Sequence, residues 1–189
     1  MNEAASASLS RILGHTEDRN IGIISASRGR YPKQENKTRT NDLAGDIRGA
    51  GFGFVKMSGH YIEGFGQEGE KTPVTEDVFF VIGKDKEDSG HLKSALKKLG
   101  AKYDQESILF KPFGDPKAYI VGTTSVNEDG EPVWPGLNNE VEAGTFHPNK
   151  VGQFFTKMKS GKTFVFEGIE IDKTPMQHFS EYIRRKYGE

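Results

Sequence analysis

Three arginines and several hydrogen-bonding side chains could together form a site for an anionic ligand. Arg28 and Arg30 lie in the polar loop SRGRYPKQE, and Arg39 lies in the helical segment that follows it. A guanidinium group binds phosphate and carboxylate groups through paired hydrogen bonds, and a buried guanidinium without a partner is costly. The sequence therefore predicts a small anion-binding pocket, with a ligand-binding set of Ser25, Arg28, Arg30, Asn36, Arg39 and Gln105.

A second group of side chains could carry out acid–base chemistry. The segment SGHYIEG contains His60, Tyr61 and Glu63. If the protein is an enzyme acting on a nucleotide or a phosphate ester, His60 or Glu63 would be the general base and Tyr61 would orient the substrate. Arg28 and Arg39 would then stabilise the charge on the phosphate group.

The predicted pocket has a purely structural alternative. In this alternative, Asn36 caps the helix that follows the loop, and Arg39 pairs with Glu35 or Glu63. The two loop arginines then lie in solvent, where ion pairs contribute little to stability.

The sequence predicts neither a metal site nor a cofactor. It contains no cysteine, which excludes a thiol nucleophile and cysteine-ligated metal centres. Its 5 histidines show no pairing at i, i+4 and no His–Glu helical motif. Glu140 and Glu142 in NEVEAG are interpreted as part of a solvated acidic loop, because no clear strand carries them.

The elements that would position these residues follow the order β-α-β-β-α-β between residues 20 and 111. This order is typical of the ferredoxin-like split βαβ fold, in which helices cover one face of a mostly antiparallel sheet. The predicted class is α+β, with an extra strand after this core and a C-terminal β/α extension. The predicted core segments are NIGIISAS (20–27), ENKTRTNDLAGDIRGAG, GFGFVKMS, DVFFVIG (77–83), DSGHLKSALKKLGAKY, ESILFKP and, as the extra strand, KAYIVGTTS.

This topology predicts that three polar segments meet at one edge of the sheet. The first two strands run parallel, so the loop SRGRYPKQE and the connection GHYIEGFGQ emerge side by side. The second helix returns to the same edge and brings YDQES (103–107) there. The predicted site residues should therefore converge, although they are distant in sequence.

The first core helix is predicted to begin at Asn36, as its N-cap. Leu43 and Ile47 form its apolar pair, and Gly49 and Gly51 close it. The second core helix is amphipathic and should end near a glycine. Its predicted inward residues and terminator are Leu92, Leu96, Leu99 and Gly100.

The stretch GFGFVKM (51–57) has the letters of an RNA-binding strand motif, but not its position. A single helix separates it from the first strand, which places it on the second strand, at the edge of the sheet. We therefore expect Phe52 and Phe54 to pack against helices instead of stacking on bases.

The predicted domains are an N-terminal helical segment (1–19), an α+β core (20–122) and an extension packed on the core (123–189). The helical segment is placed at residues 3–13, and NEDG is a turn that could pair 117–126 with EPVWPG. In the rest of the extension, PNKVGQFFTKMKSG is predicted as helix, KTFVFEGIEI as strand and TPMQHFSEYIRRKYG as a final helix.

Charge and hydropathy limit the classes of partner. The chain has 26 basic and 27 acidic residues among 189, so its net charge does not support binding to nucleic acid or to a membrane. It contains no long apolar run and no signal-peptide pattern, which predicts a cytoplasmic location, the host cytoplasm if the protein is phage-encoded. The partners considered are a nucleotide or other phosphate-bearing ligand and a host protein.

Residues 20–122 resemble a family of small uncharacterised proteins of bacteria and tailed phages, a domain of unknown function. In the third strand of bacterial members a glutamate directly precedes Ser-Phe; here EDVFF stands instead, which leaves Glu76 and Asp77 without an assigned role. The whole sequence is most similar to phage proteins, and the resemblance implies a phage accessory protein. The residues that carry the resemblance are Glu35, Asn36, Arg39, Gly59, Tyr61, Glu63 and Gln105.

Three functional hypotheses follow. The main one is a binding module of phage type that docks a host protein, a nucleotide or a nucleic acid through the arginine-lined edge. The first alternative is an enzyme acting on a nucleotide or phosphate ester, and the second is a structural component of the virion. A concave pocket with a carboxylate or histidine of perturbed pKa would favour the enzyme.

Overall fold

The computed structural model describes residues 9–63, 72–86, 88–127, 129–148, 155–157 and 163–167. Side chains are described for the shorter ranges 14–59, 74–86, 88–127 and 129–145. The elements in chain order are α1 (Leu9–Asp18), β1 (Ile21–Ser25), α2 (Lys33–Gly49), β2 (Gly53–Glu63), β3 (Thr72–Ile82), a short 3₁₀ turn (Asp88–Gly90), α3 (His91–Lys102), β4 (Ser107–Lys111), β5 (Lys117–Gly122), β6 (Glu140–Pro148), β7 (Phe155–Lys157) and β8 (Thr163–Glu167).

The predicted α+β class and the ferredoxin-like core are confirmed. From β1 to β4 the order is β-α-β-β-α-β, and the strands lie in the spatial order β4-β1-β3-β2. All three pairs are antiparallel, with Ser25 opposite Val78 in one pair and Gly59 opposite Glu76 in another. The predicted extra strand is β5, which pairs with β4.

The strands after β5 close this sheet into a barrel. The circular order is β1-β3-β2-β7-β8-β6-β5-β4, so β7 pairs with β2 along Ser58–His60. The prediction that β2 lies at a sheet edge is therefore wrong. A row of unpaired backbone groups on an edge strand favours pairing with another strand, and β7 supplies it.

Two predictions for the extension are also wrong. The segment PNKVGQFFTKMKSG was expected to be helical, but Phe155–Lys157 forms β7, because neighbouring strands on both sides satisfy its backbone. Glu140 and Glu142 lie on β6 instead of in a loop, and strand alternation puts both on one face. They form ion pairs with Lys93 and Lys117.

Other predicted segments agree with the structure in part. The strand KTFVFEGIEI is confirmed over Thr163–Glu167, and Val126 pairs with Pro132 as an isolated bridge beside the NEDG turn. The described helix is Leu9–Asp18, so the helix continues past residue 13, where it was predicted to end, because no helix-breaking proline interrupts the chain there. Residues 1–8 and the predicted final helix lie outside the described residues, and the division into domains stays a prediction.

Helix α2 begins earlier than predicted and ends as predicted. It starts at Lys33 after Pro32, so Asn36 lies in the first turn and is not the N-cap. The side chain of Asn36 binds backbone groups of the preceding loop instead. At the other end, Gly51 has a φ of 82° and the amide of Phe52 donates to the carbonyl of Ile47, which forms a Schellman motif.

Two apolar layers hold the sheet in place. One layer packs α2 and α3 against the outer face of the sheet, and Leu43, Ile47 and Leu96 in it are fully buried. The other layer fills the barrel interior with side chains such as Ile21 and Phe80. The two layers arise because successive side chains on a strand point to opposite faces of the sheet.

The remaining core predictions are mostly confirmed. Phe52 is buried, and Phe54 meets Phe79 edge to face with ring centroids 4.8 Å apart. Helix α3 runs to Lys102, so Gly100 does not end it; a Cβ there would lie 2.6 Å from Thr123 Cγ2. A small residue is thus needed where α3 packs on the end of β5.

Within the described parts of the chain, no helix has the length and apolar character needed to cross a membrane. The predicted cytoplasmic location stays a prediction.

Candidate active site

Two of the three polar segments that were predicted to meet at one edge of the sheet do meet there. Gln105 Nε2 donates to the carbonyl of Ser27 at 3.2 Å, which joins the loop after β1 to the chain after α3. Of the third segment, the structure describes only the backbone. His60, Tyr61 and Glu63 lie on β2 in register with Thr75, Val74 and Thr72, and their side chains lie outside the described residues.

Asn36 fixes the loop that leads from β1 to α2. Its Oδ1 accepts a hydrogen bond from the amide of Arg28 at 2.9 Å. Its Nδ2 donates to the carbonyl of Arg28 at 2.9 Å and to that of Tyr31 at 3.1 Å. One side chain thus binds three backbone groups of the loop and fixes its path.

The Arg39 side chain, on α2, joins the two segments that meet at this edge. Its Nε donates to the carbonyl of Ala26 at 2.8 Å, and its Nη2 donates to the carbonyl of Tyr103 at 2.6 Å. The same Nη2 lies 3.4 Å from Asp104 Oδ2. These bonds tie the end of β1 to the end of α3, so Arg39 acts here on protein groups, and a role in ligand binding stays a prediction.

Tyr31 lies between two guanidinium groups. The guanidinium carbons of Arg30 and Arg39 lie 4.4 and 4.7 Å from the centre of its ring. Arg30 also donates to the Tyr31 hydroxyl at 2.7 Å and lies 3.4 Å from Asp104. Cation–π contacts of this kind rigidify the loop.

Arg28 has the loosest attachment of the three arginines. Its Nη2 lies 3.7 Å from Glu106 Oε1, beyond the range of a charge-assisted hydrogen bond. Arg30 and Arg39 share Asp104 at 3.4 Å, whereas Arg28 has a different and more distant carboxylate partner, Glu106. Arg30 and Arg39 thus lie around the same partners, Arg28 lies beside another carboxylate, and the role of all three in ligand binding stays a prediction.

A carboxylate that the sequence analysis left without a role lies beside this loop. Ser25 Oγ donates to Glu76 Oε2 at 2.9 Å, and it also lies 3.0 Å from the carbonyl of Asp77. The same hydroxyl oxygen accepts the amide of Ser27 at 3.0 Å. Glu76 shares the inward face of β3 with Val78, and extending the predicted strand DVFFVIG back by one residue at the two-residue period of a strand could have identified it.

The environment of Glu76 raises its pKa to about 7. Burial against the barrel interior is the main cause, because it penalises the charged form. The hydrogen bond from Ser25 and the positive charge of Arg28 act in the opposite direction. A carboxyl group that titrates near neutral pH is typical of functional sites.

The Ser25 hydroxyl can satisfy both protonation states of Glu76. A hydroxyl has a single proton to donate and two lone pairs to accept with. When Glu76 is ionised, that proton is shared between its carboxylate and the carbonyl of Asp77. When Glu76 is protonated, it can donate to Ser25 Oγ, and the Ser25 proton is then free to bind Asp77.

A pocket of about 240 Å³ opens next to this loop. Two of the predicted site residues, Arg28 and Gln105, line it. The chain after β5, which the sequence analysis did not include in the site, forms the far wall. The remaining lining residues are Ala101, Asp104, Glu106, Thr123, Thr124, Val126 and Asn127.

The pocket walls combine charged, hydrogen-bonding and apolar groups. Thr123 Oγ1 donates to the carbonyl of Gln105, which fixes the end of β5 against the end of α3. Val126 is 44% exposed and gives the rim an apolar contact. Among the side chains that the structure describes, no group of three or more histidines and acidic residues is arranged to hold a metal ion.

Comparison with models of protein families found a match over most of the chain. The model of the S-adenosylmethionine lyase family matches residues 22–167, which are most of the 189 residues. The match runs from β1 to the end of β8 and includes the loop after β1, Glu76 and the pocket walls. Comparison with individually curated proteins found no match.

This match corrects the interpretation of the sequence. The expected family of unknown function is replaced by one named for an enzymatic reaction, so the main hypothesis of a binding module is wrong. The description as a phage accessory protein that interacts with a host is wrong for the same reason. The enzyme alternative agrees with the match, and the chain belongs to the S-adenosylmethionine lyase family.

Proposed function

We propose that the protein is an enzyme that cleaves S-adenosylmethionine, and that Glu76 is the carboxylate facing the sulfonium group. The observation that carries this proposal is the partly buried Ser25–Glu76 pair at the start of the loop whose Arg28 lines the pocket. The family match supports the reaction class.

The chemistry requires one carbon–sulfur bond to break without added water or oxidant. The electron pair of that bond leaves with sulfur, and the sulfonium becomes a neutral thioether. The carbon left behind forms its new bond within the same substrate, either to the substrate's own carboxylate oxygen or with the electrons of a neighbouring C–H bond. A neutral thioether is a good leaving group and needs no general acid.

The role of Glu76 follows from charge. The sulfonium is a permanent cation, and a carboxylate in a partly buried site attracts it more strongly than one in water. Approach of the cation favours the ionised form of Glu76, whose pKa is about 7 in the free protein. If the bond breaks by loss of a neighbouring proton, Glu76 is also the group that accepts that proton.

The pocket is large enough to enclose only a part of the remaining substrate. Its volume of about 240 Å³ is below the roughly 300–1,000 Å³ typical of pockets that enclose a whole small ligand. We place the nucleoside hydroxyls against polar groups such as Gln105 and Asn127, with Val126 against the flat face of the base. The roles predicted for His60, Tyr61 and Glu63 remain predictions, and the substrate is a nucleoside sulfonium instead of a phosphate ester.

The proposal is tested with purified protein and S-adenosylmethionine, by chromatography of the nucleoside products. The wild type is expected to release a neutral thioether nucleoside. Glu76→Gln keeps the shape of the side chain and removes its charge, and we expect its turnover to fall about 10²- to 10³-fold. The second product, a cyclic ester or an alkene, identifies the route.

The same variant has an expected signature in stability. Glu76 holds its proton more tightly when folded, with a pKa of about 7 against 4.5 for an ordinary glutamate. Protonated Glu76 therefore stabilises the folded protein. This contribution is fully present below about pH 4.5 and is lost as the pH rises through about 7. Glu76→Gln, which stays neutral, should therefore melt at a higher temperature than the wild type at pH 8, with the difference closing at pH 5.

Asp77→Asn is the matched control. Asp77 is the next residue, lies on the opposite face of β3 and pairs with Lys56 at 2.7 Å. Its substitution should leave turnover within a few-fold of the wild type. Absence of product from the wild-type protein, or full turnover by Glu76→Gln, contradicts the proposal.

A further inference from the structure

Resting on the proposed function, we infer that Arg28 selects the substrate by binding its carboxylate group, and that Glu106 holds the Arg28 side chain when the site is empty. Arg28 is then the residue that distinguishes S-adenosylmethionine from sulfonium nucleosides that lack a carboxylate.

The backbone of Arg28 is fixed, whereas its side chain is not. The Asn36 side chain binds both the amide and the carbonyl of Arg28 at 2.9 Å. The position of the Cα atom is thereby set by α2, and only the side chain can adjust to a ligand. This is the preorganisation that a binding residue needs, because little backbone freedom is lost when the ligand binds.

The side chain has a partner that a ligand can replace. The distance of 3.7 Å between Arg28 Nη2 and Glu106 Oε1 indicates a loose ion pair. The two side chains are 23% and 42% exposed, so solvent screens their attraction, and such pairs contribute little. A substrate carboxylate can form two parallel hydrogen bonds with a guanidinium group, which is the stronger arrangement.

The two neighbouring arginines are not equivalent to Arg28. Arg39 donates to two backbone carbonyls and is the internal tie between β1 and α3. Arg30 lies against Tyr31 and Asp104, and it does not line the pocket. Arg28 is therefore the guanidinium group of this cluster that faces the ligand space.

The two charged groups at the end of β1 and in the loop after it have the signs that the amino-acid end of the substrate needs. Arg28 follows β1 by a few residues, and Ser25 at the end of β1 binds Glu76. The loop after β1 therefore carries the Arg28 guanidinium group, and the strand end from which it starts contacts the Glu76 carboxyl group. A carboxyl group and a guanidinium group thus lie at the two ends of the short segment Ser25–Arg28, and the substrate has a sulfonium and a carboxylate joined by a short carbon chain.

Competition between two ligands tests the inference. Decarboxylated S-adenosylmethionine has the same sulfonium and nucleoside but no carboxylate, and it competes for the site whether or not it is cleaved. For the wild type, its inhibition constant should exceed the KM for S-adenosylmethionine roughly 10- to 100-fold. In Arg28→Gln the KM should rise by about that factor while the inhibition constant stays the same, so the two values converge.

Two further variants complete the experiment. Arg30→Gln removes an arginine from the same loop and should keep the wild-type preference for the carboxylate. Glu106→Gln removes the competing partner and should keep or strengthen that preference. If Arg28→Gln does not fold, Arg28→Lys retains the charge without the paired geometry, and its preference should be intermediate.

The outcomes separate this inference from the proposed function. If the wild type cleaves S-adenosylmethionine but binds both ligands equally, the lyase proposal stands and the role of Arg28 is overturned. The same holds if Arg30→Gln loses the preference and Arg28→Gln keeps it. If the wild type neither cleaves nor binds S-adenosylmethionine, both are overturned.

Discussion

At the scale of single residues, the site depends on one hydroxyl group. Ser25 Oγ contacts Glu76, the carbonyl of Asp77 and the amide of Ser27, so it links the carboxylate to the loop that carries Arg28. Its hydrogen bond stabilises the ionised form of Glu76 against the effect of burial. Ser25 is thus a positioning residue that also sets the pH at which Glu76 ionises.

Ser25→Ala should move the pH profile of turnover. Removing the hydrogen bond raises the pKa of Glu76 further above its present value of about 7. Since the proposal needs the ionised form, turnover rises with pH through this pKa, and the rising limb should shift to higher pH in the variant. The measurement is kcat/KM for S-adenosylmethionine between about pH 5.5 and 9. This range extends roughly one to two units on either side of the pKa of about 7.

Ser27→Ala is the control, because it retains the backbone amide that binds Ser25 Oγ. Its profile should overlay that of the wild type. A Ser25→Ala profile that is lower at every pH, with an unchanged midpoint, would show that Ser25 contributes only to structure.

At the scale of elements, the pocket depends on how the loop after β5 closes over the sheet. Gly122 at the end of β5 donates its amide to the carbonyl of Asn139 and accepts the amide of Asn138. A Cβ atom at Gly122 would lie 1.8 Å from the carbonyl oxygen of Gly136. The loop can lie in this position because residue 122 has no side chain.

Gly122→Ala should therefore displace the loop and destabilise the protein. The obstructing atom belongs to the backbone and cannot rotate away, so we expect a loss of about 2–4 kcal/mol in the free energy of unfolding. Denaturant unfolding measures this change, and the pocket wall formed by Thr123 and Thr124 should be disturbed with it.

Gly45→Ala provides the comparison at an unobstructed glycine. Gly45 is exposed on α2, and a Cβ atom there would meet nothing within 4 Å. Alanine should stabilise the helix by about 0.5–1 kcal/mol. If the two variants change stability equally, the close approach at Gly122 is not the cause.

At the scale of the whole molecule, closure of the barrel protects both edges of the ferredoxin-like sheet. Without the later strands, β2 and β5 would each present unpaired backbone groups. The short β7 completes the circle, and Thr156 in it lies opposite Gly59 on one side and Phe164 on the other. Gly59 in turn lies opposite Glu76, so closure also supports the strand next to the site.

Thr156→Pro tests this closure. Proline removes a backbone donor from a strand paired on both sides, and we expect a loss of about 3 kcal/mol or more. For a chain of this size that corresponds to a fall of roughly 6–12 °C in Tm. Thr156→Val keeps the donor and should melt near the wild type. A Thr156→Pro protein with the wild-type Tm would mean that β7 does not close the barrel.

The sequence by itself determined the local elements and the edge at which the site lies. Short apolar runs specify β1, β3 and β4, and the 3.6-residue period with Gly51 specifies α2 and its end, because these signals are local. The β-α-β-β-α-β order then places the loop after β1 beside the chain after α3. For this reason Arg28, Asn36 and Gln105 could be predicted as neighbours.

Only the tertiary structure decided which of these residues line the pocket and which bind other parts of the protein. Arg39 and Asn36 satisfy backbone carbonyls and amides that become neighbours only on folding. The role of Glu76 depends on burial and on Ser25, which lies 51 positions away in the chain. Barrel closure likewise joins strands that are distant in sequence, and no local sequence pattern encodes such pairing. Which strands pair depends on which sheet edges remain open when the other strands have folded.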